Sequence, residues 1–206
     1  MSARPPTSKA GSAALERAAS LLGDRAVRDA PLGARTTYRV GGLASLFVEA
    51  DDEADLALVA KAREETGLDV LVVGKGSNLL VADAGFVGIA VTLGGGFDRI
   101  EVGSDGSVVA GGAVAYPVLA RTTGRAGWSG LEWAVGVPGS VGGAVRMNAG
   151  GHGSETAERL VSARLVSLRS GESLEARSRD LDFSYRHSAV GPDDVVTEAT
   201  FLLERG

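Results

Sequence analysis

The residues most able to do chemistry lie in a glycine-rich segment that reads GVPGSVGGAVRMNAG over residues 136–150. Pro138 predicts a turn, and Ser140 is suited to cap a helix that begins after it. Gly142 and Gly143 would leave one face of that helix without side chains, so that a flat ligand could lie there. Backbone N–H groups near a helix start favour an anion, which indicates a phosphorylated ligand. The alternative is a glycine-rich helix that packs closely on a sheet.

A second loop with similar potential chemistry leaves a predicted buried strand and turns through Gly74 and Gly76. Ser77 and Asn78 add side-chain donors to the backbone N–H groups of this turn. Such a loop is suited to hold a pyrophosphate by charge-assisted hydrogen bonds. The alternative is a tight turn at the exit of a strand. The presence of two such loops in one chain favours the ligand interpretation.

Neither loop matches a familiar phosphate-binding motif. A P-loop needs a glycine six residues before its lysine and Ser or Thr directly after it. Lys75 fails both conditions and is followed by Gly76. The G-x-G pairs of the chain have Leu79, Arg99 and Thr156 where the dinucleotide fingerprint needs its third glycine or alanine. A nucleotide site in this chain must therefore be of another kind.

A third candidate is the segment LDFSYRHS over residues 181–188, in which ionisable side chains follow an apolar anchor. Arg186 is always charged and is suited to grip a carboxylate with two parallel hydrogen bonds. Tyr185 precedes it, and His187 is of the type that titrates near neutral pH. The alternative is that the Tyr185–Arg186 pair belongs to a surface ion pair.

The elements that must position these loops begin with a strand, helix, strand unit, which indicates α/β character. Asp51 or Asp52 is suited to cap a helix that runs to about Thr66, with Gly67 as its C-terminal stop. The other predicted elements of this part are a helix at residues 13–22, an irregular stretch at 28–42, and strands at 45–49, 69–73 and 89–93.

The second part of the chain predicts short antiparallel strands with one or two helices. Turn residues at 103–106 predict a hairpin, and Pro117 is suited to open a helix that ends near Gly124. The predicted strands are at residues 99–102, 107–110, 163–168 and 195–203. The fold class is therefore α+β, with a small α/β subdomain over residues 13–94 and a mostly antiparallel sheet with flanking helices over residues 95–206.

The composition excludes several kinds of site. The 206 residues include no cysteine, which excludes disulfides, thiolate zinc sites and catalytic thiols. His152 and His187 are too few for a histidine-rich metal site, and we expect no metal. A net charge of −5 argues against a nucleic-acid partner, and no apolar run approaches the roughly 20 residues of a membrane span. Residues 1–12 are polar and predict a disordered tail without a signal peptide, so a cytoplasmic location is expected.

Four segments together resemble the UDP-N-acetylmuramate dehydrogenase family, also called the UDP-N-acetylenolpyruvoylglucosamine reductases. This family belongs to the FAD-binding PCMH-type, or vanillyl-alcohol oxidase-like, superfamily. The segments are TTYRVGG at residues 36–42, GKGSNL at 74–79, GVPGSVGG followed by MNAG within 136–150, and FSYRHS at 183–188. Their combination is more specific than any one of them. The resemblance covers residues 30–205 and implies an FAD-binding fold of two subdomains.

The resemblance also implies an activity and a set of roles. The activity is FAD-dependent reduction of UDP-N-acetylglucosamine enolpyruvate to UDP-N-acetylmuramate, a peptidoglycan precursor, with NADPH as the reductant. Arg186 matches the active-site arginine of the family, and Tyr185 is its neighbour at the active site. Thr37 either borders the flavin or is an ordinary loop residue before the Gly41-Gly42 turn. No catalytic role is assigned to His187. The implied FAD contacts are Gly74, Lys75, Gly76, Ser77, Asn78, Leu79, Pro138, Gly139, Ser140, Gly142, Gly143, Asn148, Ala149 and Gly150.

One departure from the family pattern limits what the resemblance carries over. Members of the family continue into a third, C-terminal domain with much of the substrate site and the proton donor, whereas this chain ends at Gly206. We expect that the chain lacks that domain, and Arg186 alone is carried over as a catalytic residue. One alternative is a truncated, non-catalytic flavin-binding module. Another is an FAD-linked sugar or alcohol oxidase, which is less favoured because no His or Cys flavin-attachment motif is found.

Overall fold

The structure is a computed structural model that describes residues 9–206. The first helix, α1, spans Lys9–Leu22. It buries Ala18, Ala19 and Leu22. The helix begins earlier than the predicted residue 13, so residues 9–12 are helical. Residues 1–8 of the predicted tail lie outside the described residues.

The first sheet is built from β1 (Ala26–Ala30), β2 (Ala44–Ala50), β3 (Val70–Val72) and β4 (Phe86–Leu93). Their order across the sheet is β1-β2-β4-β3. Both β2 and β3 pair with β4 in parallel, whereas β1 pairs with β2 in antiparallel orientation. The three parallel strands therefore end at one edge of the sheet, and loops at such an edge are common places for ligand sites.

Helix α2 (Glu53–Thr66) connects β2 to β3. The carboxylate of Asp52 accepts a hydrogen bond from the backbone N–H of Asp55, and Gly67 ends the helix with a φ of 67°. These are the two end signals that the sequence predicts. Both are confirmed.

Two strands of this sheet differ from their predictions. Residues 28–42 are not all irregular, because β1 includes residues 28–30; this strand exposes Val27, Arg28 and Asp29 and buries Ala30. An edge strand with so little apolar surface shows no alternating pattern, and its pairing with β2 defines it. Strand β3 also lies at an edge and is half-buried, not buried as predicted.

The second part of the chain forms a larger sheet and several short pairs. Its strands are β5 (Ile100–Val102), β6 (Ser107–Gly111), β7 (Trp128–Ser129), β8 (Gly150–Gly151), β9 (Ser154–Glu155), β10 (Leu160–Ser167), β11 (Ser173–Arg177), β12 (Asp194–Leu202) and β13 (Glu204–Arg205). The five-stranded sheet has the order β11-β10-β12-β6-β5, and all of its pairs are antiparallel. The predicted β5–β6 hairpin is confirmed. Strand β11 was not predicted, because it is an edge strand that buries Ala176 alone.

Two helices pack on this sheet. Helix α3 (Tyr116–Arg125) has Pro117 in its first turn, and helix α4 (Val141–Arg146) is capped by Ser140. Their buried side chains join those of β6, β10 and β12 in one core. The predicted α+β class, with antiparallel strands and flanking helices in the second part, is confirmed.

The two sheets share apolar contacts through α2. Leu56 and Val59 of this helix belong to a core cluster that also contains Val166, Leu168 and Val195 of the second part. Ion pairs reinforce the contact, since Glu53 bonds Arg164 at one end of α2 and Arg63 bonds Asp193 near the other. No helix in the described part of the chain is long and apolar enough to cross a membrane.

Candidate functional site

A cavity of about 950 Å³ lies between the two sheets. Its walls are the ends of β3 and β4, the start of β12, helix α4 and the loops around them. This volume is at the upper end of the roughly 300–1,000 Å³ that small-molecule and cofactor sites occupy. The predicted site residues that line it are Gly74, Lys75, Gly76, Ser77, Asn78, Leu79, Pro138, Gly139, Ser140, Gly142, Gly143, Ala149, Gly150 and Arg186.

The loop after β3, residues 74–78, offers donors that have no internal partner. Its backbone N–H groups donate no hydrogen bond to any other described residue. The carboxamide of Asn78 has no partner among those residues either, and the ammonium of Lys75 forms no ion pair with them. Successive free N–H groups beside a cation are suited to surround an anionic oxygen.

The conformation of this loop depends on Gly76. Its φ is 68°, and a Cβ atom there would lie 2.4 Å from the carbonyl oxygen of Arg35. No other residue fits this position without a backbone shift. The N–H of Thr37 donates to the carbonyl oxygen of Gly76 at 3.1 Å. Thr37 thus supports the loop from behind and does not itself line the cavity.

The loop before α4 lies directly against this first loop. The hydroxyl of Ser77 donates to the carbonyl oxygen of Pro138 at 3.2 Å. A Cβ atom on Gly74 would lie 2.8 Å from the Oγ of Ser140, so the close approach of the two loops requires glycine there. The two loops predicted from the sequence therefore form one continuous wall.

The start of α4 has little spare donor capacity. The N–H groups of Val141 and Gly142 donate to the carbonyl oxygens of Val114 and Gly112. The N–H of Gly143 donates to the Oγ of Ser140 at 3.2 Å. The free donors of the cavity are therefore found mainly in the loop after β3, which is one of the two places that the sequence predicts, and not at the start of α4, which is the other.

The two helical glycines have different roles. A Cβ atom on Gly142 would lie 3.0 Å from the carbonyl oxygen of Val196 and 3.2 Å from that of Gly112, so this glycine faces the sheet. A Cβ atom on Gly143 would have only the Oγ of Ser140 within 4 Å, at 3.4 Å. Gly143 therefore leaves a bare surface on the cavity, whereas Gly142 permits close packing, which was the alternative interpretation.

Arg186 reaches the cavity from a tight turn. Ser184 and His187 exchange backbone hydrogen bonds of 3.1 Å in both directions. Between them Arg186 has a φ of 56°, which is unusual for a residue with a side chain. Its Nη2 donates to the carbonyl oxygen of Gly150 at 2.8 Å, and its guanidinium lies 5.2 Å from the ring centre of Tyr185. Tyr185 is 84% exposed and does not line the cavity.

Asn148 occupies a different place from the one expected. It is fully buried and is not among the residues that line the cavity. Its Nδ2 donates to the carbonyl oxygen of Ser184, and its Oδ1 accepts from the N–H of Ala157, each at 3.0 Å. Because both ends of the amide are occupied by protein, its side chain holds the wall of the cavity together and is not free to bind a cofactor.

Several residues of the cavity were not singled out from the sequence. His152, Trp133, Arg146 and Met147 all line it. His152 lies at the tip of the β8–β9 hairpin with a φ of 54°. The pair His152-Gly153 between short runs is a two-residue turn signal that could have revealed this hairpin.

Trp133 is held by the core beneath the cavity. Its ring meets that of Tyr116 edge-on, with centroids 5.8 Å apart. Burial raises the pKa of Tyr116 to about 12, although its hydroxyl shares a hydrogen bond with Thr156. Tyr116 is therefore neutral at physiological pH and serves as a rigid support for the wall.

The charge of the cavity is opposite to that of the chain. Lys75, Arg146 and Arg186 line it, and Asp194 is the single carboxylate among its lining residues. The Oδ2 of Asp194 already accepts a hydrogen bond from the N–H of Gly191. An excess of cations in a cleft of an acidic protein favours an anionic ligand.

The comparisons with known proteins agree with this geometry. The FAD binding domain family matches residues 44–177 of the chain. The chain belongs to the FAD binding domain family. The cavity fits the cofactor of that family, because a large, mostly apolar space adjoins a loop with free N–H groups and Lys75, as a flavin and its pyrophosphate require.

Two curated relatives that match the chain have the same name. The UDP-N-acetylenolpyruvoylglucosamine reductase of Caulobacter sp. (strain K31) is 46% identical over 162 residues, which is 79% of this chain and 52% of the relative. That of Azorhizobium caulinodans is 43% identical over 189 residues, or 91% of this chain and 60% of the relative. The chain thus spans about half to three fifths of the length of these relatives.

A solved structure also matches. The UDP-N-acetylenolpyruvylglucosamine reductase from Thermus caldophilus superimposes with a TM-score of 0.76 and 32% identity, over 88% of this chain and 63% of that one. The match confirms the predicted FAD-binding, PCMH-type fold with mixed helices and antiparallel sheets.

Proposed function

We propose that this chain is the flavin-binding part of a UDP-N-acetylenolpyruvoylglucosamine reductase. The reaction is the NADPH-dependent reduction of UDP-N-acetylglucosamine enolpyruvate to UDP-N-acetylmuramate, which belongs to cytoplasmic peptidoglycan synthesis and so to cell shape and division. The observation that carries the proposal is the guanidinium of Arg186 at the rim of a flavin-type cavity. Relatives with this name at 43–46% identity support it.

The role of Arg186 follows from its charge and position. One of its terminal nitrogens bonds the carbonyl oxygen of Gly150, which leaves further N–H donors of the fork for a ligand. A substrate carboxylate fits such a fork with two parallel hydrogen bonds. The same charge stabilises the negative charge that develops beside the carboxylate when the enolpyruvyl double bond is reduced. The ring of Tyr185 lies beside the guanidinium, 5.2 Å from it, and adds a cation–π contact.

The cofactor contacts follow from the walls of the cavity. When bound, FAD supplies the hydride-transfer chemistry. The N–H groups of residues 74–78 and the Lys75 ammonium are placed to hold its pyrophosphate. Gly143 offers bare backbone for the flat ring, and Ala149 and Gly150 line the cavity near it. We assign Asn148 no direct contact with the cofactor, although one was predicted. Its side chain instead supports the wall of the cavity.

We assign the proton-donor role to none of Ser140, Ser184 and Ser188, because none of them matches the family serine that the resemblance implies. Ser140 accepts the hydrogen bond that caps α4. The hydroxyl of Ser188 donates to the carbonyl oxygen of Arg146 at 2.7 Å. Ser184 meets the site through its backbone, whose N–H and carbonyl oxygen are both bonded. The proton donor of the proposed reaction is therefore sought outside these residues.

The alternatives make different demands. A non-catalytic flavin-binding module needs the cavity but not Arg186. An FAD-linked sugar or alcohol oxidase needs no NADPH, and this chain has no cysteine for a cysteinyl attachment of the flavin. Neither alternative accounts for a guanidinium held at the cavity.

The test is a reductase assay on the FAD-loaded chain, combined in trans with the C-terminal part of a longer relative such as the Caulobacter protein. We expect NADPH oxidation that depends on UDP-N-acetylglucosamine enolpyruvate. FAD binding without any such turnover would favour the non-catalytic module. Oxidation of a sugar or alcohol by oxygen without NADPH would favour the oxidase.

A further inference from the structure

We propose that Asn148 and Ser188 are positioning residues that hold the turn of Arg186 over the cavity. The turn has little packing of its own, since Tyr185 is largely exposed and Arg186 has a strained φ. Strained, exposed turns persist when surrounding contacts fix them. Contacts from neighbouring segments must therefore fix this turn.

The turn is fixed at both of its ends. On one side the Nδ2 of Asn148 donates to the carbonyl oxygen of Ser184 at 3.0 Å. On the other side the hydroxyl of Ser188 donates to the carbonyl oxygen of Arg146 at 2.7 Å. The acceptor of the Arg186 guanidinium, Gly150, belongs to the same segment as Arg146 and Asn148. One stretch, residues 146–150, thus holds both ends of the turn and its arginine while it lines the cavity.

The side chain of Asn148 is matched to this task. An amide supplies a donor and an acceptor at once, and Asn148 uses both, because its Oδ1 also accepts from the N–H of Ala157. Its φ of 40° is one that asparagine tolerates better than most residues. Full burial means that the loss of either bond leaves a polar group without water.

The inference rests on the proposed role of Arg186, but its first test does not. Trypsin cleavage after Arg186 reports on the order of the turn, because a protease needs a locally opened chain. Asn148→Asp keeps the acceptor and replaces the donor, whereas Ser188→Ala removes the bond to Arg146 together with the one that its Oγ accepts from the N–H of Val190. We expect cleavage after Arg186 to become about tenfold faster in each folded variant. Thr123→Val, which removes a buried hydroxyl bond within α3, should leave it unchanged.

Unchanged cleavage in folded Ser188→Ala and Asn148→Asp would overturn the inference. An equal acceleration in Thr123→Val would also overturn it, because the effect would then be general loosening. Circular dichroism and thermal unfolding establish which variants are folded.

A double-mutant cycle separates positioning from a purely structural role. The FAD-loaded chain is combined in trans with the C-terminal part of a longer relative. Its affinity for UDP-N-acetylglucosamine enolpyruvate, followed by the flavin spectrum, is compared for native protein, Ser188→Ala, Arg186→Lys and the double variant. We expect Ser188→Ala to weaken binding several-fold in the native background and to have no further effect beside Arg186→Lys. Additive effects would contradict positioning through Arg186. If the native chain together with that C-terminal part binds no UDP-sugar, the proposed function fails, and the proteolysis still decides whether the turn is tethered.

Discussion

Arg186 carries the chemistry of the proposed site at the scale of single residues. Its backbone is strained, its guanidinium bonds Gly150, and the ring of its neighbour Tyr185 lies beside it. Lysine would keep the charge but would lose the planar fork that matches a carboxylate. Replacement of Arg186 by lysine therefore separates the effect of its charge from the effect of its planar fork.

We predict that Arg186→Lys leaves the affinity for FAD unchanged and lowers kcat/KM for the UDP-sugar roughly tenfold to hundredfold. Flavin titration of the chain measures the first effect. Steady-state kinetics of the chain combined in trans with the C-terminal part of a longer relative measure the second. Loss of flavin, with normal turnover for each flavin that remains bound, would show that Arg186 serves the cofactor instead.

The two glycines of α4 give a matched prediction at the scale of elements. Gly143→Leu places its side chain in the cavity, whereas Gly142→Leu pushes against the backbone of Val196 and Gly112. We predict that Gly143→Leu folds with near-native stability but binds FAD at least about tenfold more weakly, because the side chain takes space the ligand needs. Gly142→Leu should lose about 1–3 kcal/mol of unfolding free energy through overpacking.

Thermal unfolding of the apo proteins and FAD titration distinguish the two variants. Native FAD affinity in Gly143→Leu would mean that the ligand does not lie along this face of α4. Unaltered stability in Gly142→Leu would mean that α4 and β12 separate more easily than their contacts indicate.

The same elements show what a sequence predicts and what it cannot. Helix α2 is predicted because its ends are marked by local residues, Asp52 and Gly67, whose bonds lie within one turn of it. Strands β1 and β11 are not predicted, because each lies at the edge of a sheet. Each is defined by its pairing with the neighbouring strand and not by an apolar pattern of its own. That Gly142 faces the sheet and Gly143 the cavity depends on which element packs beside α4. The same holds for the buried position of Asn148. Local spacing contains no such information.

At the scale of the whole molecule, the cavity depends on how firmly the two sheets are held together. Arg63 of α2 and Arg169 both bond Asp193, directly before β12. Burial alone would raise the pKa of Asp193, but the hydrogen bonds and charges of Arg169 and Arg63 outweigh it and hold the pKa below its usual value of 3.8. A lowered folded-state pKa means that this stabilisation is complete above about pH 4 and is lost as the pH falls through the folded-state value.

We predict that Asp193→Asn lowers the free energy of unfolding at pH 7 by about 1 kcal/mol, since one partner, Arg169, is largely exposed. The difference from native protein should shrink at pH 3, because this lies below the unfolded-state pKa of about 3.8 and protonation of the unfolded carboxyl removes part of the stabilisation. Urea unfolding at the two pH values measures this. Asp180→Asn, which removes an exposed pair with Arg179, is the control and should change little. An Asp193→Asn deficit that persists in full at pH 3 would contradict the assigned cause.

The central claim is that the cavity between the sheets binds FAD through the loop at residues 74–78 and the bare face at Gly143. The most direct measurement is titration of the folded apo chain with FAD, followed by visible absorbance and calorimetry, beside the Gly143→Leu variant. The account predicts saturable binding of one flavin for each chain, release of the flavin on denaturation, and weakened binding by the variant. A folded native chain that binds no FAD, or a variant that binds it equally well, would contradict the account.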